Sequence, residues 1–319
     1  MTVTFDKTIR AGRFARKVRI KSKPFFWKLL KYILLVELAF TILYPLLAQL
    51  ATTFMTETDL LDKTVEYFAK APTLDNYAYL IEYVDYFQCL LHSVLLCLLT
   101  AALTTLTAAL CGYGFAKFKF RGRVLAFGIV ILSIIVPPQT IMLSLFTKFR
   151  YFDVFGVLQA ATGHTLTLTG SFLPPALLAV TGFGFRGGLF IFLMRQFYAG
   201  VPKELMEAAY VDGASVYRTY FQIIFPLGRT LMVTVFLLSF SWMWTDTFYA
   251  NILYPDISIV SKIISAAQYM GAAGVTAGSM VAGMYVNTAT MLVLAPLLLV
   301  FLFGQRFIVA GIENSGIVG

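Results

Sequence analysis

An all-α membrane protein with six transmembrane helices is the fold class this sequence predicts, and three observations predict it. Of its 319 residues, 59% are hydrophobic and only 13% charged, and the mean hydropathy of +0.79 lies outside the range of soluble domains. Long apolar runs, each near the roughly 20 residues that a helical crossing needs, are separated by polar breaks. The runs are continuous, without the alternating segments of about ten residues that mark a transmembrane barrel, so the spanning elements are helices.

The elements follow in order. Residues 1–28 form a basic tail, in which Lys7, Arg10, Arg13, Arg16, Lys17, Arg19, Lys21, Lys23 and Lys28, continued by Lys31, face one acid, Asp6. Such an excess keeps this end in the cytosol. The first run, 29–54, is longer than a signal-peptide core and lacks a small-residue cleavage site, which predicts a retained span. It opens residues 29–86, whose extracellular connection reverses the charge: Glu57, Asp59, Asp62, Glu66, Asp75, Glu82 and Asp85 stand against Lys63 and Lys70. A core at 87–305 holds runs at 87–116, 124–147, 172–197, 229–252 and 281–304. The loop "KFKFRGR" is purely basic and returns the chain to the cytosol, as does the loop at 198–228. A cytoplasmic tail, 306–319, ends the chain, so both termini are cytoplasmic. The formal charge of +9 is thus a signal of topology and of lipid headgroups rather than of nucleic acid.

Cys89, Cys97 and Cys111 fall in one apolar span and read as embedded small hydrophobes. No Cys/His spacing suggests a metal site, and His92 and His164 are isolated. Neither the phosphate loop GxxxxGK[ST] nor GxSxG or HExxH occurs, so the chain is expected not to be an enzyme and to bind no cofactor itself.

Against this background "ELMEAAYVDGASVYRTYFQIIFPL", residues 204–227, stands out as small and polar. Pro202 suits a first helical turn, and good helix formers continue until Gly213, which is placed to end the helix. Ser215 can cap a second helix in which Tyr217, Phe221 and Ile224 recur at helical spacing, ending near Pro226. Ala208 and Ala209 allow close approach, and Glu207 and Asp212 can meet cationic donors. A hairpin lying on lipid is the alternative, but such helices carry basic polar faces and this one presents Glu204, Glu207 and Asp212.

The stretch resembles the EAA motif of permease subunits of ABC importers, and the resemblance runs over residues 72–319. "PTLDNYAYL", "CGYGFAKFKFRGR", "IVPPQTIML", "IFLMRQFYAGVPKELMEAAYVDGAS" and "GQRFIVAGIENSGIVG" are similar to the second permease of the carbohydrate-uptake branch. The resemblance implies a type I fold, a heterodimer with a second permease subunit, two ATPase subunits that carry ATP and Mg, and an extracellular sugar-binding protein. It also implies that residues 202–213 form the coupling helix seated in the ATPase, with Glu207, Ala208, Ala209 and Gly213 in the motif positions. The chain departs from the family pattern at His92-Ser93, at Thr245 in "WMWTDTF", and at "TGFGFRGG" in the fourth span.

That last stretch contains Arg186, a charge inside an expected span. It either snorkels to the outer interface or lines the path and favours an anionic sugar. Asp246, beside Trp242 and Trp244, has the same ambiguity, since the tryptophans are sugar-stacking surfaces or belt residues. Two further readings stand beside the sugar importer. One is an ABC permease for a non-sugar solute, and the other a self-sufficient secondary transporter, for which no clear internal repeat is found.

Overall fold

The computed structural model describes residues 3–65, 67–154, 156–270 and 280–316. Glu66 of the acidic connection and residues 317–319 of the tail lie outside the described residues, as do the side chains of the basic tail through Phe25. Among the described residues there is no sheet, only one antiparallel bridge between Phe152 and Leu166. The chain divides into two units, Met1–Asn76 and Tyr77–Gly319.

In the first unit α1 (Val3–Thr52) starts well before the apolar run that predicted it. Lys and Arg are good helix formers, so the charge pattern marks where an apolar span begins, at Phe26, but not where the helix begins. A short α2 (Glu57–Leu61) follows, opened by a capping box in which the Thr56 hydroxyl accepts the Asp59 N–H and the Asp59 carboxylate accepts the Thr56 N–H. Asn76 returns to this turn by donating to the carbonyls of Thr53 and Met55, each at 2.9 Å. Lys70 donates to the Asp62 carboxylate and holds it well below the usual carboxylate range. Both side chains are exposed, so the pair adds little stability.

The second unit begins within α3 (Asp75–Tyr83) and is organised around α4 (Tyr86–Lys117), which matches its apolar run. After α5 (Arg123–Ile135) the expected third span breaks. Pro137 and Pro138 cannot continue the backbone ladder, a 3-10 turn intervenes, and α6 (Met142–Arg150) leaves at 101°. Beyond α7 (Val157–Thr162), the expected fourth span is also divided, into α8 (Leu173–Val180) and α9 (Gly187–Gly200). The turn between them needs its glycines: a Cβ at Gly187 would lie 2.5 Å from the Gly182 carbonyl, and one at Gly188 would run into Ser133.

Next come α10 (Glu204–Val211), α11 (Val216–Thr219) and α12 (Phe225–Leu227), then α13 (Arg229–Trp244). The fifth expected span ends early because Asp246 caps a new helix, α14 (Phe248–Leu253), by accepting the N–H groups of Tyr249 and Ala250. The described part closes with α15 (Ile263–Met270) and α16 (Met280–Gly316). By length and composition three helices can cross a membrane, Phe26–Thr52, Tyr86–Lys117 and Met280–Ile308, or up to five if each bent pair counts once. The predicted count of six is therefore not reproduced as six unbroken helices, and proline, glycine and the Asp246 cap are the reasons.

α4 packs against α8, α9 and α13, and α13 against α16. Pro296 inside α16 lacks an N–H, which leaves the Leu292 carbonyl without its helical donor. The Tyr86 hydroxyl donates to that carbonyl at 2.9 Å, and the Trp244 indole donates to the Val293 carbonyl at 3.0 Å. Two buried clusters result. One gathers Leu96, Cys97, Trp244, Leu253 and Tyr254, and the other Ala109, Tyr113, Phe190, Tyr198, Tyr220 and Ile224 beneath the hairpin.

Candidate functional site

The hairpin begins where α9 stops. Pro202 does not enter the first helical turn but precedes it, with Lys203 at the N-cap of α10, because the chain after Gly200 is extended through Val201. Glu204 and Glu207 then occupy the first turn, where carboxylates complement the unsatisfied N–H groups. Gly213 ends the helix in the left-handed region, with φ of 78°. Two bonds fix the reversal, Gly213 N–H to the Tyr210 carbonyl at 3.1 Å and Ala214 N–H to the Ala209 carbonyl at 2.9 Å. This paired pattern is the Schellman motif, which requires a residue tolerant of positive φ.

Ser215 caps the second helix as its composition predicts, its hydroxyl accepting the Arg218 N–H at 3.3 Å. The helix does not end at Pro226. A π turn over Tyr220–Ile224 widens the backbone and the helical path continues through Leu227 to Gly228, where it turns 71° into α13. A proline that donates no N–H and crowds the preceding turn is accommodated by such widening. Of the predicted stripe only Ile224 is buried, whereas Tyr217 and Phe221 are exposed and Tyr220 takes the inward position.

The predicted docking residues divide by direction. Glu207, Ala208, Asp212 and Gly213 are exposed, and among the described residues no acid here has an ion-pair partner. Ala209 is buried within its own chain at 5% exposure, and Pro226 is part of the helical path to α13. Beside the acids stand exposed apolar side chains, Leu205, Tyr210, Val211, Val216, Tyr217 and Phe221. This surface combines carboxylates and apolar area on a short, fixed hairpin.

Sequence reading missed how the hairpin is tied to the membrane helices. The Lys117 ammonium donates to the Val201 carbonyl at 2.6 Å, joining the ends of α4 and α9. Tyr113 from α4, Tyr198 from α9 and Tyr220 from the π turn meet, with Tyr113 4.7 Å from Tyr220 and 5.8 Å from Tyr198 between ring centroids. At Gly112 a Cβ would lie 2.6 Å from Met194, and at Gly228 one would lie 2.9 Å from the Tyr198 hydroxyl. The available signal was a tyrosine in each of "CGYGF", "QFYAG" and "RTYFQ", the segments flanking the two basic or polar loops.

The other predicted residues lie apart from the hairpin. Arg186 is exposed, holds a left-handed φ of 57°, and its guanidinium sits 4.3 Å from the Trp242 ring centroid and 5.6 Å from that of Phe185. Trp242 in turn stacks on the buried Phe190 at 5.4 Å. Trp244 is only 2% exposed and stacks on Phe240, and Asp246 is 7% exposed with its carboxylate committed to the α14 N-terminus. The structure thus brings Arg186 and Trp242 together and directs Trp244 and Asp246 into packing.

The family model described as "Binding-protein-dependent transport system inner membrane component" matches residues 91–314. The arabinooligosaccharides transport system permease protein AraQ of Halalkalibacterium halodurans is 25% identical over 285 residues, covering 88% of this chain and 93% of the relative. The galactooligosaccharides transport system permease protein GanQ of Bacillus subtilis is 24% identical, covering 94% of this chain and 99% of its own. A chain from the crystal structure of a bacterial ABC transporter involved in the import of the acidic polysaccharide alginate superposes with a TM-score of 0.68. It is 16% identical, and the match covers 88% of this chain and 96% of that one, which shows a common fold.

Proposed function

Because the chain belongs to the family of binding-protein-dependent transport system inner membrane components, we propose that it is the second permease subunit of an ATP-driven carbohydrate importer. It is a multi-pass inner-membrane component of transport rather than a catalyst. Carbohydrate cargo is supported by the relatives AraQ and GanQ, whose names specify oligosaccharide transport. In this reading a sister permease completes the pathway, two ATPase subunits bind ATP and Mg, and an extracellular binding protein delivers the sugar. Six crossings are made by α1, α4, α5 with α6, α8 with α9, α13 with α14, and α16, with both termini in the cytosol.

The observation that carries the proposal is the exposed hairpin whose acids have no ion-pair partner among the described residues while its base is tied to α4, α9 and α13. ATP-induced closure of the ATPases moves the hairpin as a lever. The tyrosine junction then passes the movement to the membrane helices, which open outward to receive sugar, and hydrolysis resets them.

Cross-linking tests this directly. With the importer expressed whole, Ala208→Cys should cross-link to a cysteine in the ATPase cleft, whereas Ala209→Cys, turned into its own chain, should not. Failure of any ATPase to co-purify with the parent complex would remove the proposal.

A further inference from the structure

We propose that Arg186 and Trp242 form a subsite for a uronate unit of the transported glycan, the indole receiving the sugar ring and the guanidinium its carboxylate. The inference rests on the carbohydrate-importer reading and names the class of cargo.

Depth is the first argument. The α9 helix runs 14 residues from Gly187 to Gly200, a rise of about 20 Å at 1.5 Å per residue. Its far end is level with the cytosolic end of α4, because Lys117 donates to the Val201 carbonyl. Trp242 lies 13 positions beyond Arg229, which opens α13 directly after the hairpin, again about 20 Å from that side. In a hydrocarbon core roughly 30 Å thick, both residues sit well inside the membrane, and tilt only carries them deeper. The guanidinium does not reach outward from this level, since it rests 4.3 Å from the Trp242 ring. This geometry replaces the snorkelling alternative with an intramembrane position.

Charge is the second. A cation at this depth needs water, an acid or a cavity, yet among the described residues Arg186 has no ion pair and is exposed. Arg186 also carries backbone strain. Arg186 and Asp85 are the non-glycine residues with positive φ among the described residues, and such backbone persists where surrounding structure fixes it, often at ligand clamps. Here the glycines on both sides permit the turn that aims Arg186 across α13.

The chemistry of the pair selects the ligand. An aromatic face packs against the apolar face of a pyranose, and Trp242 is held in place from behind by Phe190. A guanidinium presents two parallel donors that match a carboxylate. In the present state the cation covers the indole. A uronate exchanges that cation–π contact for a bidentate carboxylate contact, and the ring takes the vacated face. A neutral sugar supplies no group that draws Arg186 away.

The test is binding of labelled trigalacturonate and labelled cellotriose to the purified whole importer, in parallel with Arg186→Gln and Arg186→Lys forms. The expected result is saturable binding of trigalacturonate at least tenfold tighter than cellotriose. Arg186→Gln should weaken trigalacturonate at least tenfold without weakening cellotriose, because the indole face is no longer covered by the guanidinium, with Arg186→Lys between the two, and all forms should retain the sister permease and the ATPase. Inorganic phosphate at millimolar concentration should not displace trigalacturonate, because it cannot use the indole. Equal binding of the two glycans, an unaltered Arg186→Gln form, displacement by phosphate alone, or loss of the sister permease from Arg186→Gln would each overturn the assignment. So would absence of glycan binding by an importer that keeps its ATPase, a result that leaves the permease reading standing. Loss of the ATPase from the parent complex is the separate result that removes that reading and this one with it.

Discussion

Gly213 allows the coupling role of the hairpin to be tested by backbone conformation alone. A Cβ placed there meets nothing within 4 Å, so no substitution is penalised by collision. The whole cost comes from φ of 78°, which disfavours an ordinary L-residue by about 1–2 kcal/mol. Asparagine tolerates the left-handed region and should cost little. Alanine should fall near 1 kcal/mol, and valine, with its branched Cβ, at or above the upper end. Such energies correspond to roughly fivefold to thirtyfold in the ratio of reversed to opened hairpin.

The eight-residue α10 is too short to hold itself, because isolated helices below about 12–15 residues are marginal in water. Losing the reversal also releases the bonds from Gly213 and Ala214 to the preceding turn. Apparent affinity for the ATPase should fall by up to the same factors, since only the docking-competent conformer binds. The assay is ATPase retention on purification and substrate-stimulated hydrolysis for Gly213→Asn, Gly213→Ala and Gly213→Val, with membrane abundance as the control. The order should be parent, Asn, Ala, Val. Equal retention and hydrolysis in all three variants would refute the reasoning, and so would an asparagine form as impaired as the valine form.

Glu207→Lys should leave membrane abundance and pairing with the sister permease near normal while weakening ATPase retention. Stranding the opposing charge in a buried junction costs about 2–5 kcal/mol, and normal retention would show that Glu207 meets no cation. Gly228→Ala should destabilise the hairpin junction by about 1–3 kcal/mol, because the added methyl would lie 2.9 Å from the Tyr198 hydroxyl. Tyr198→Phe removes that oxygen, so the double variant should recover much of the thermal stability and lack of recovery would argue against the contact. For topology, a cysteine at Asp62 or Lys70 should react with an impermeant thiol reagent on intact cells, whereas one at Lys119 or Tyr210 should need permeabilisation. External labelling at Tyr210 would exclude a cytosolic hairpin.

What the sequence disclosed and what it hid follow from the range of the interactions involved. The reversal at Gly213 and the cap at Ser215 depend on bonds to residues three to five positions away, so composition alone predicts them. Helix α4 was equally legible, since 32 residues of apolar helix have no competing signal within them. The broken spans carried local signals that hydropathy averages away. Pro137-Pro138, the glycines around Arg186 and the capping carboxylate of Asp246 each end a helix within a window that stays apolar on average. The junction beneath the hairpin was harder to read for another reason. Tyr113, Tyr198 and Tyr220 meet only when α4, α9 and the π turn pack together, and no period links residues so far apart. Arg186 belongs to both classes. Its charge announced an anomaly within an apolar run, but its contact with Trp242 on α13, at 4.3 Å, is long-range and underlies the proposed uronate subsite. A local rule broken by a charged, strained residue, with a long-range aromatic contact to support it, is the pattern expected where structure has been given up for binding.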